Sequence, residues 1–442
     1  VAITVEDARL GRAAATRVRV AGRVPLVQRL QRADGVLAQR LNGESDWVAT
    51  LDLPRAAAGT PARLELTSDL RGIGIDLPEP FGKPADAARG FSLRADLNTG
   101  ALGPIWLNLG EHSAAFALER REGALRLARG ELRLGAADAR LPDAPGVRVV
   151  GKLPAFVWDD WRELLGGDAA APAAGGLAFL NVELGTLSAF GRDFGALRIL
   201  AQRVNGSRGP WRVRLGGADM DGTLELPGQA QQPLRLRFAR LRIPPATGTG
   251  GASQLDPARV PPLDLAAEQL QFRDLDLGQV SLKTRPLGNG LAVEALDVDA
   301  DWIRLGARGE WTRHAGKDAS RFRIDLKGGE LGGLLEKFGY AGSIQGGETQ
   351  GEIDANWPGT PTDFALAKLE GGLAFRIGQG RLLQVEAGAG RVFGLFNLQG
   401  LRRRLALDFS DVFEKGFGFD SIEGKFTLLD GDAYTNDLTV EG

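Results

Sequence analysis

The sequence predicts an all-β fold with a few short helices, built as an elongated antiparallel sheet with one apolar face. Three observations predict it. First, apolar and polar residues alternate in short runs along the whole chain, as in Leu234-Arg235-Leu236-Arg237-Phe238 and Phe322-Arg323-Ile324-Asp325-Leu326. Successive side chains of a strand point to opposite faces, so each run builds one apolar and one polar surface. Second, these runs are short and are separated by Gly, Asp-Gly or Pro-containing turns, in keeping with 62 Gly and 22 Pro among 442 residues. Third, only three stretches carry helical spacing, and all are short.

Strands are expected at residues 63–70, 91–97, 114–119, 123–129, 211–215, 223–226, 265–272, 280–284, 291–294, 303–311, 372–377, 405–409 and 425–429. Their spacing predicts that sequence neighbours pair, strand beside strand, in a meander. A helix at 159–165 places Trp161, Leu164 and Leu165 on one side and stops at Gly166. One at 330–338 groups Leu331, Leu334, Leu335 and Phe338 and stops at Gly339, a favoured terminator. A third at 390–398 groups Val392, Leu395 and Phe396 before Gly400. Each reads as a plug at an end or edge of the sheet, with membrane-surface binding as the alternative.

Two irregular stretches interrupt the alternation: residues 166–176 (GGDAAAPAAGG) and 244–262 (PPATGTGGASQLDPARVPP). The second is the better boundary. It divides the chain into a first part, 1–243, and a second part, 263–442, with the same pattern on both sides.

Composition removes several function classes. With 54 basic and 56 acidic residues the net charge is −2, which argues against a nucleic-acid partner. There is no cysteine, so disulfides, thiolate metal sites and a cysteine nucleophile are excluded. No segment approaches the ~18 apolar residues of a spanning helix. The chain opens at Val1 and stops at Gly442 straight after strand-like residues, which reads as a piece of something longer; a missing signal or anchor therefore carries no weight.

Catalytic constellations are under-supplied. The two histidines, His112 and His314, stand in polar, surface-like contexts, too few for a metal centre or a Ser-His-Asp arrangement. Asp297, Asp299 and Asp301 alternate onto one face, where calcium is conceivable. A calcium loop fails because the sixth position is Trp302 and the twelfth Arg308, leaving a solvated outer strand face. Residues 418–426 are one residue too long for a phosphate loop and offer Phe426 where a hydroxyl is needed. Gly388-Ala389-Gly390 is followed by Arg391-Val392-Phe393-Gly394, which breaks the dinucleotide spacing. The one basic run, Arg402-Arg403-Arg404, reads either as cations near a helix C-terminus or as a contact for anionic lipid headgroups. No catalytic residue, metal or cofactor is expected.

What remains is the apolar face, which cannot stand in water: a few hundred Å² at ~25 cal/mol per Å² costs many kcal/mol. A sandwich would cover it with a second sheet, but with recognisable breaks between domains. A transmembrane barrel would add aromatic girdles, against which Tyr occurs only twice, at Tyr340 and Tyr434. A β-helix would show a short regular repeat. The fourth solution curls the sheet lengthwise into a gutter whose apolar interior holds acyl chains. Unbroken alternation favours the gutter without separating it from the sandwich.

Several motifs add to this. Residues Leu64-Glu65-Leu66-Thr67-Ser68-Asp69-Leu70-Arg71-Gly72 lead into Leu77-Pro78 and Phe81-Gly82-Lys83-Pro84, and Gly151-Lys152-Leu153-Pro154 leads into Trp161. Gly342-Ser343-Ile344-Gln345-Gly346-Gly347 leads through Ile353-Asp354-Ala355 to Trp357-Pro358-Gly359. A last stretch runs from Gly388 and Arg391-Val392-Phe393-Gly394-Leu395 through Leu405-Ala406-Leu407-Asp408-Phe409 to Phe417-Gly418-Phe419-Asp420-Ser421-Ile422. In these the chain resembles the C-terminal part of the AsmA-like superfamily, specifically the large YhdP-type proteins of Gram-negative envelopes. The resemblance implies a bridge-like lipid-transfer architecture. It also implies a periplasmic β-groove anchored in the inner membrane by an N-terminal helix outside this fragment, and a non-enzymatic role in moving phospholipids toward the outer membrane. The alternative is a scaffolding envelope protein with closed sandwich cores.

Lining positions expected from the alternation are Leu234, Leu236, Phe238, Leu291, Val293, Ile303, Leu305, Phe322, Ile324, Leu326, Phe375, Ile377, Leu405, Leu407, Phe409, Phe417 and Phe419, with Arg402, Arg403 and Arg404 at headgroups. The pattern makes a claim about parity: within each strand, one alternate set of side chains should lie on a single continuous face.

Overall fold

In the computed structural model the described residues are 2–10, 13–25, 38–55, 61–98, 101–121, 124–164, 176–204, 209–228, 232–246, 256–337, 344–364, 368–382, 417–429 and 432–442. They form an all-β protein with a few short helices. The contacts divide the chain into two units, Val1–Ala189 with Asp193–Ala218, and Phe190–Arg192 with Asp219–Gly442.

The first unit contains a ladder of β1 (Ala2–Leu10), β2 (Ala13–Val24), β3 (Ser45–Pro54), β4 (Ala62–Ser68), β5 (Phe91–Asn98) and β6 (Ala101–Leu109). It continues through β7 (His112–Arg121), β8 (Ala124–Leu134), β9 (Gly146–Leu153), β10 (Leu177–Leu184), β11 (Leu197–Arg203) and β12 (Trp211–Gly217). The helix α1 (Trp158–Leu164) lies between β9 and β10, with Asp159 and Asp160 in its first turn, where negative charge suits the helix dipole.

The second unit's ladder is β13 (Met220–Leu226), β14 (Leu234–Ile243), β15 (Leu263–Phe272), β16 (Gln279–Leu287) and β17 (Gly290–Asp299). After these come β18 (Ile303–His314), β19 (Lys317–Glu330), β20 (Glu348–Pro358), β21 (Glu370–Ile377) and β22 (Ser421–Leu429). The helix α2 (Leu331–Lys337) follows β19 directly. Both helices sit within a residue or two of the expected 159–165 and 330–338. The expected helix 390–398 and strand 405–409 lie outside the described residues.

Among the described residues, the meander is interrupted at three joints. β8 pairs with β9, β9 with β10, and β14 with β15, all in parallel. A parallel joint needs a long connection that returns to the starting end, where a hairpin needs only a tight turn. The two irregular stretches seen in the sequence supply such returns: 166–176 lies between β9 and β10, and 244–262 between β14 and β15. The third return, 135–145, is rich in Ala, Asp and Pro.

Two devices hold the register. On the polar face of the first unit, Glu6, Arg17, Asp52, Arg63 and Asp96 stand opposite one another across five strands with alternating charge. Arg17 donates twice to Asp52, at 2.7 and 3.0 Å, and Arg63 donates to Asp96 at 3.1 Å. The bond from Arg17 holds the Asp52 carboxyl below its ordinary range, with burial pulling the other way. In the second unit Arg237–Asp264 (2.9 Å), Arg323–Asp354 (2.7 Å) and Arg376–Glu423 (3.0 Å) repeat the arrangement. The exposed pairs are worth about 0–1 kcal/mol each, so they choose a register more than they stabilise one; Arg17–Asp52 differs in that Asp52 is buried.

The second device is the β-bulge. Glu294 and Ala295 together oppose Arg308, so Leu291 and Val293 share a face with Leu296 and Val298 although the spacing between the pairs slips by one. Irregularities of the same kind at Ala128 and Ala239 keep Leu127 with Gly130, and Phe238 with Leu241.

The fully buried clusters gather toward strand ends. In the second unit Val293, Phe322, Ala355, Trp357 and Leu369 pack together with Ala307 from mid-strand, with the Phe322 and Trp357 rings stacked at 5.4 Å and Trp357 Nε1 donating to the Thr360 carbonyl at 3.0 Å. Leu369, 1% exposed, closes this cluster. Leu369→Ala should destabilise the protein by about 2–5 kcal/mol, the range for a large aliphatic side chain lost from a core, read as a lower urea midpoint.

Candidate functional site

Residues directly opposite across a ladder project to the same face. The register can therefore be followed from strand to strand. In the first unit it links Ile3, Val20, Ala49, Leu66, Leu93, Leu107, Ala114, Leu132, Val149, Leu180, Ala201 and Val213, one residue from each of twelve strands and every one apolar. In the second unit it links Leu224, Leu236, Leu265, Leu282, Leu296, Ala307, Ile324, Ile353, Leu373 and Phe426, again all apolar. At ~4.8 Å per strand the first row runs about 50 Å, well over the ~15 Å of one bilayer leaflet's hydrocarbon.

These rows are not a filled core. Most of their large aliphatic members, including Leu66, Leu93, Leu107, Leu236, Leu282, Ile324 and Ile353, are only half-buried. Beneath a second packed layer such residues would be shut off from solvent. In the second unit Ala307 is buried within the Trp357 cluster, and Leu282, Leu296, Ile324 and Ile353 pack against it while staying half-buried.

The ends of the strands are treated differently. In the first unit, residues 69–90 fold over one end, where Leu70, Ile73 and Ile75 bury Trp47 and pack on Leu66, Phe91 and Leu109. This cover is tied by its own cations: the buried Lys83 amino group donates to the carbonyls of Pro84 (2.8 Å) and Ala87 (2.6 Å), and Arg89 to those of Phe81 and Gly82 (both 2.8 Å). Phe81 and Phe156 extend the cover over Leu132, Leu134, Val149 and Val182, and Trp161 of α1 meets both rings. Away from this cover, Leu53, Leu125 and Leu127 stay 41%, 54% and 44% exposed on the same apolar face. In the second unit the Trp357 cluster closes one end, and Leu331 of α2 with Ile377, Phe419 and Ile422 closes the other.

All twelve expected lining residues that lie in the second unit's ladder share one face. Leu234, Leu236, Leu305, Ile324, Leu326 and Phe375 are half-buried, whereas Phe238, Leu291, Val293, Ile303, Phe322 and Ile377 are buried. Val293 and Phe322 belong to the Trp357 cluster, and Ile377 packs with Phe419 at the opposite end. Phe417 opens the short strand Phe417–Phe419. Leu405, Leu407, Phe409, Arg402, Arg403 and Arg404 lie outside the described residues. Sequence reasoning missed the whole row of the first unit, and Leu265, Leu282, Leu296, Ile353 and Leu373 of the second, although the same alternation marks them.

The polar groups behave as a solvated outer face. Asp297 and Asp299 are exposed, with Ser281 at 3.1 Å and Arg304 at 2.9 Å. His314 is exposed at the end of β18. His112 corrects its surface reading: it is half-buried, its ring 4.9 Å from Phe81, and its Nδ1 accepts from the Gly135 amide at 3.2 Å. Isolated from context, a histidine beside Glu111 gives no sign of the loop that folds over it.

The YhdP protein family matches residues 2–442. The chain belongs to the YhdP family. Its curated relative in Escherichia coli (strain K12), "Intermembrane phospholipid transporter YhdP", is 25% identical over 436 residues, 92% of this chain. The chain spans about a third of that relative's length, 33%. No solved structure matches.

For this YhdP-family chain, the cover over the first unit supplies a pH test. Burial, then the nearby Arg89 cation, holds His112 below the ordinary imidazole range, with Glu111 opposing. The folded state therefore resists protonation that the unfolded chain accepts. The penalty is absent above about pH 6.5 and grows as pH falls through the window below it. The melting temperature should fall on acidification from about pH 7 to about pH 5, and less so in His112→Gln, as calorimetry of the two proteins would show.

Proposed function

We propose that this protein is a non-enzymatic lipid conduit of the bacterial periplasm. Phospholipid acyl chains lie along the apolar face while headgroups stay in water, and movement between inner and outer membrane supports the outer-membrane barrier. The observation that carries this reading is the in-register row of half-buried Leu, Ile and Val between closed strand ends. About 400 Å² of uncovered apolar surface costs roughly 10 kcal/mol in water, a cost that bound alkyl chains remove. The YhdP relative's name as an intermembrane phospholipid transporter supports the same cargo. A scaffolding protein with closed sandwich cores would bury these rows instead.

Ile324 stands mid-row between Ala307 and Ile353. Ile324→Asp places a charge where an acyl chain would pass, while the backbone pairing of β19 is untouched. We expect this variant to lose co-purifying phospholipid by mass spectrometry and to leave the envelope-permeability defect of a knockout uncorrected; full complementation would count against a conduit. Parity gives a sharper check. A photoreactive side chain at position 324 or 326 should cross-link phospholipid, and one at 323 or 325 should not. Equal cross-linking from both sets would sink the proposal.

A further inference from the structure

Several glycines on the apolar face stand directly opposite a phenylalanine. Gly130 pairs with Phe116, Gly222 with Phe238, and Gly309 with Phe322. Glycine inside a strand is costly and marks a place where something approaches closely. At Gly222 and Gly309 that something includes backbone, because an added Cβ would strike the carbonyl oxygens of Arg237 and Arg321. Those two glycines are explained by the chain itself.

Gly130 differs. Its Cβ would collide first with Cδ1 of Phe116 and lie 3.0 Å from Cε1, with the nearest backbone atom, the Ala115 oxygen, also at 3.0 Å. The ring of Phe116 thus reclines across β8 in the space a side chain at 130 would fill. On its other flank Phe116 faces Ile105. Deprived of the glycine, the ring has no lower place to go and must take a rotamer that stands off the sheet. Phe116 is half-buried and lies in the row next to the one through Ala114 and Leu132.

We infer that Gly130 and Phe116 are a specificity-determining pair that sets the depth of the apolar trough: the reclining ring keeps the floor low enough for an alkyl chain to pass. This rests on the conduit reading and adds a residue-level account of what cross-section the face accepts. A glycine kept only for sheet stability would move folding and not cargo.

The test uses the full chain, vesicles of dioleoyl phosphatidylethanolamine, and transfer of a fluorescent phosphatidylethanolamine between vesicle populations. Gly130→Ala should slow transfer by at least about threefold with an unchanged melting temperature, and adding Phe116→Leu should restore it to within about twofold of the parent. Unchanged transfer in folded Gly130→Ala, or no restoration in the double variant, overturns the assignment. Should Gly130→Ala fail to fold, Phe116→Leu alone decides. A lower floor should raise transfer of methyl-branched phytanoyl lipid relative to oleoyl lipid by about threefold, and an unchanged ratio overturns the pair's role. A parent that takes up no lipid overturns the conduit reading and this inference with it, whereas a failure confined to the variants overturns this inference alone.

Discussion

Everything in this protein depends on register. A slip of one residue between any two strands would turn an arginine onto the apolar face and a leucine into water. In the first unit that correspondence is kept across twelve strands, and no single contact enforces it. The alternating ladder from Glu6 to Asp96 does so electrostatically, at little net gain in stability. The bulges do so geometrically, absorbing a residue wherever the apolar spacing slips, as at Glu294 and Ala295. The outer face thus specifies the alignment that makes the inner face useful.

The inner face is divided between packing and vacancy of cover. At strand ends, aromatic and aliphatic side chains pack on one another: Trp357 on Phe322, Trp47 under Leu70 and Ile73, Trp161 between Phe81 and Phe156. Beside the Trp357 cluster, residues such as Leu282 and Ile353 pack against it yet stay half-buried. Burial is concentrated where the face is closed, so the half-buried stretch can stay partly uncovered without unravelling the sheet.

Much of this was legible in the sequence, because period-two alternation reports which face a side chain occupies whatever its partner strand is. The fold class and the shared face of Leu236, Ile324 and Phe375 follow from it, and helical spacing with Gly stops gave both described helices. The strand limits failed where parity slips. The expected strands 123–129 and 291–294 stop at the bulges, while the real strands run on to Leu134 and Asp299. A bulge looks like an ending when only one strand is read. The cover over the first unit was not legible for a different reason. Residues 69–90 have no period, and their role comes from contacts with elements far along the chain, such as Phe81 with His112 of β7 and Trp161 of α1. The parallel joints were hidden likewise, since composition marks a long connection but not the direction of the strand after it.

Those joints bear on how the molecule assembles. Hairpin neighbours meet after short loops close, a fast event with little entropy to lose, whereas a parallel neighbour must wait for a whole crossover to be arranged. The chain is thus written as runs of quick, local pairing separated by slow seams at β8–β9–β10 and β14–β15. Each run can form its own stretch of floor locally, and the seams set the order in which finished stretches are joined. By contact order, these parallel joints are the slow steps of folding.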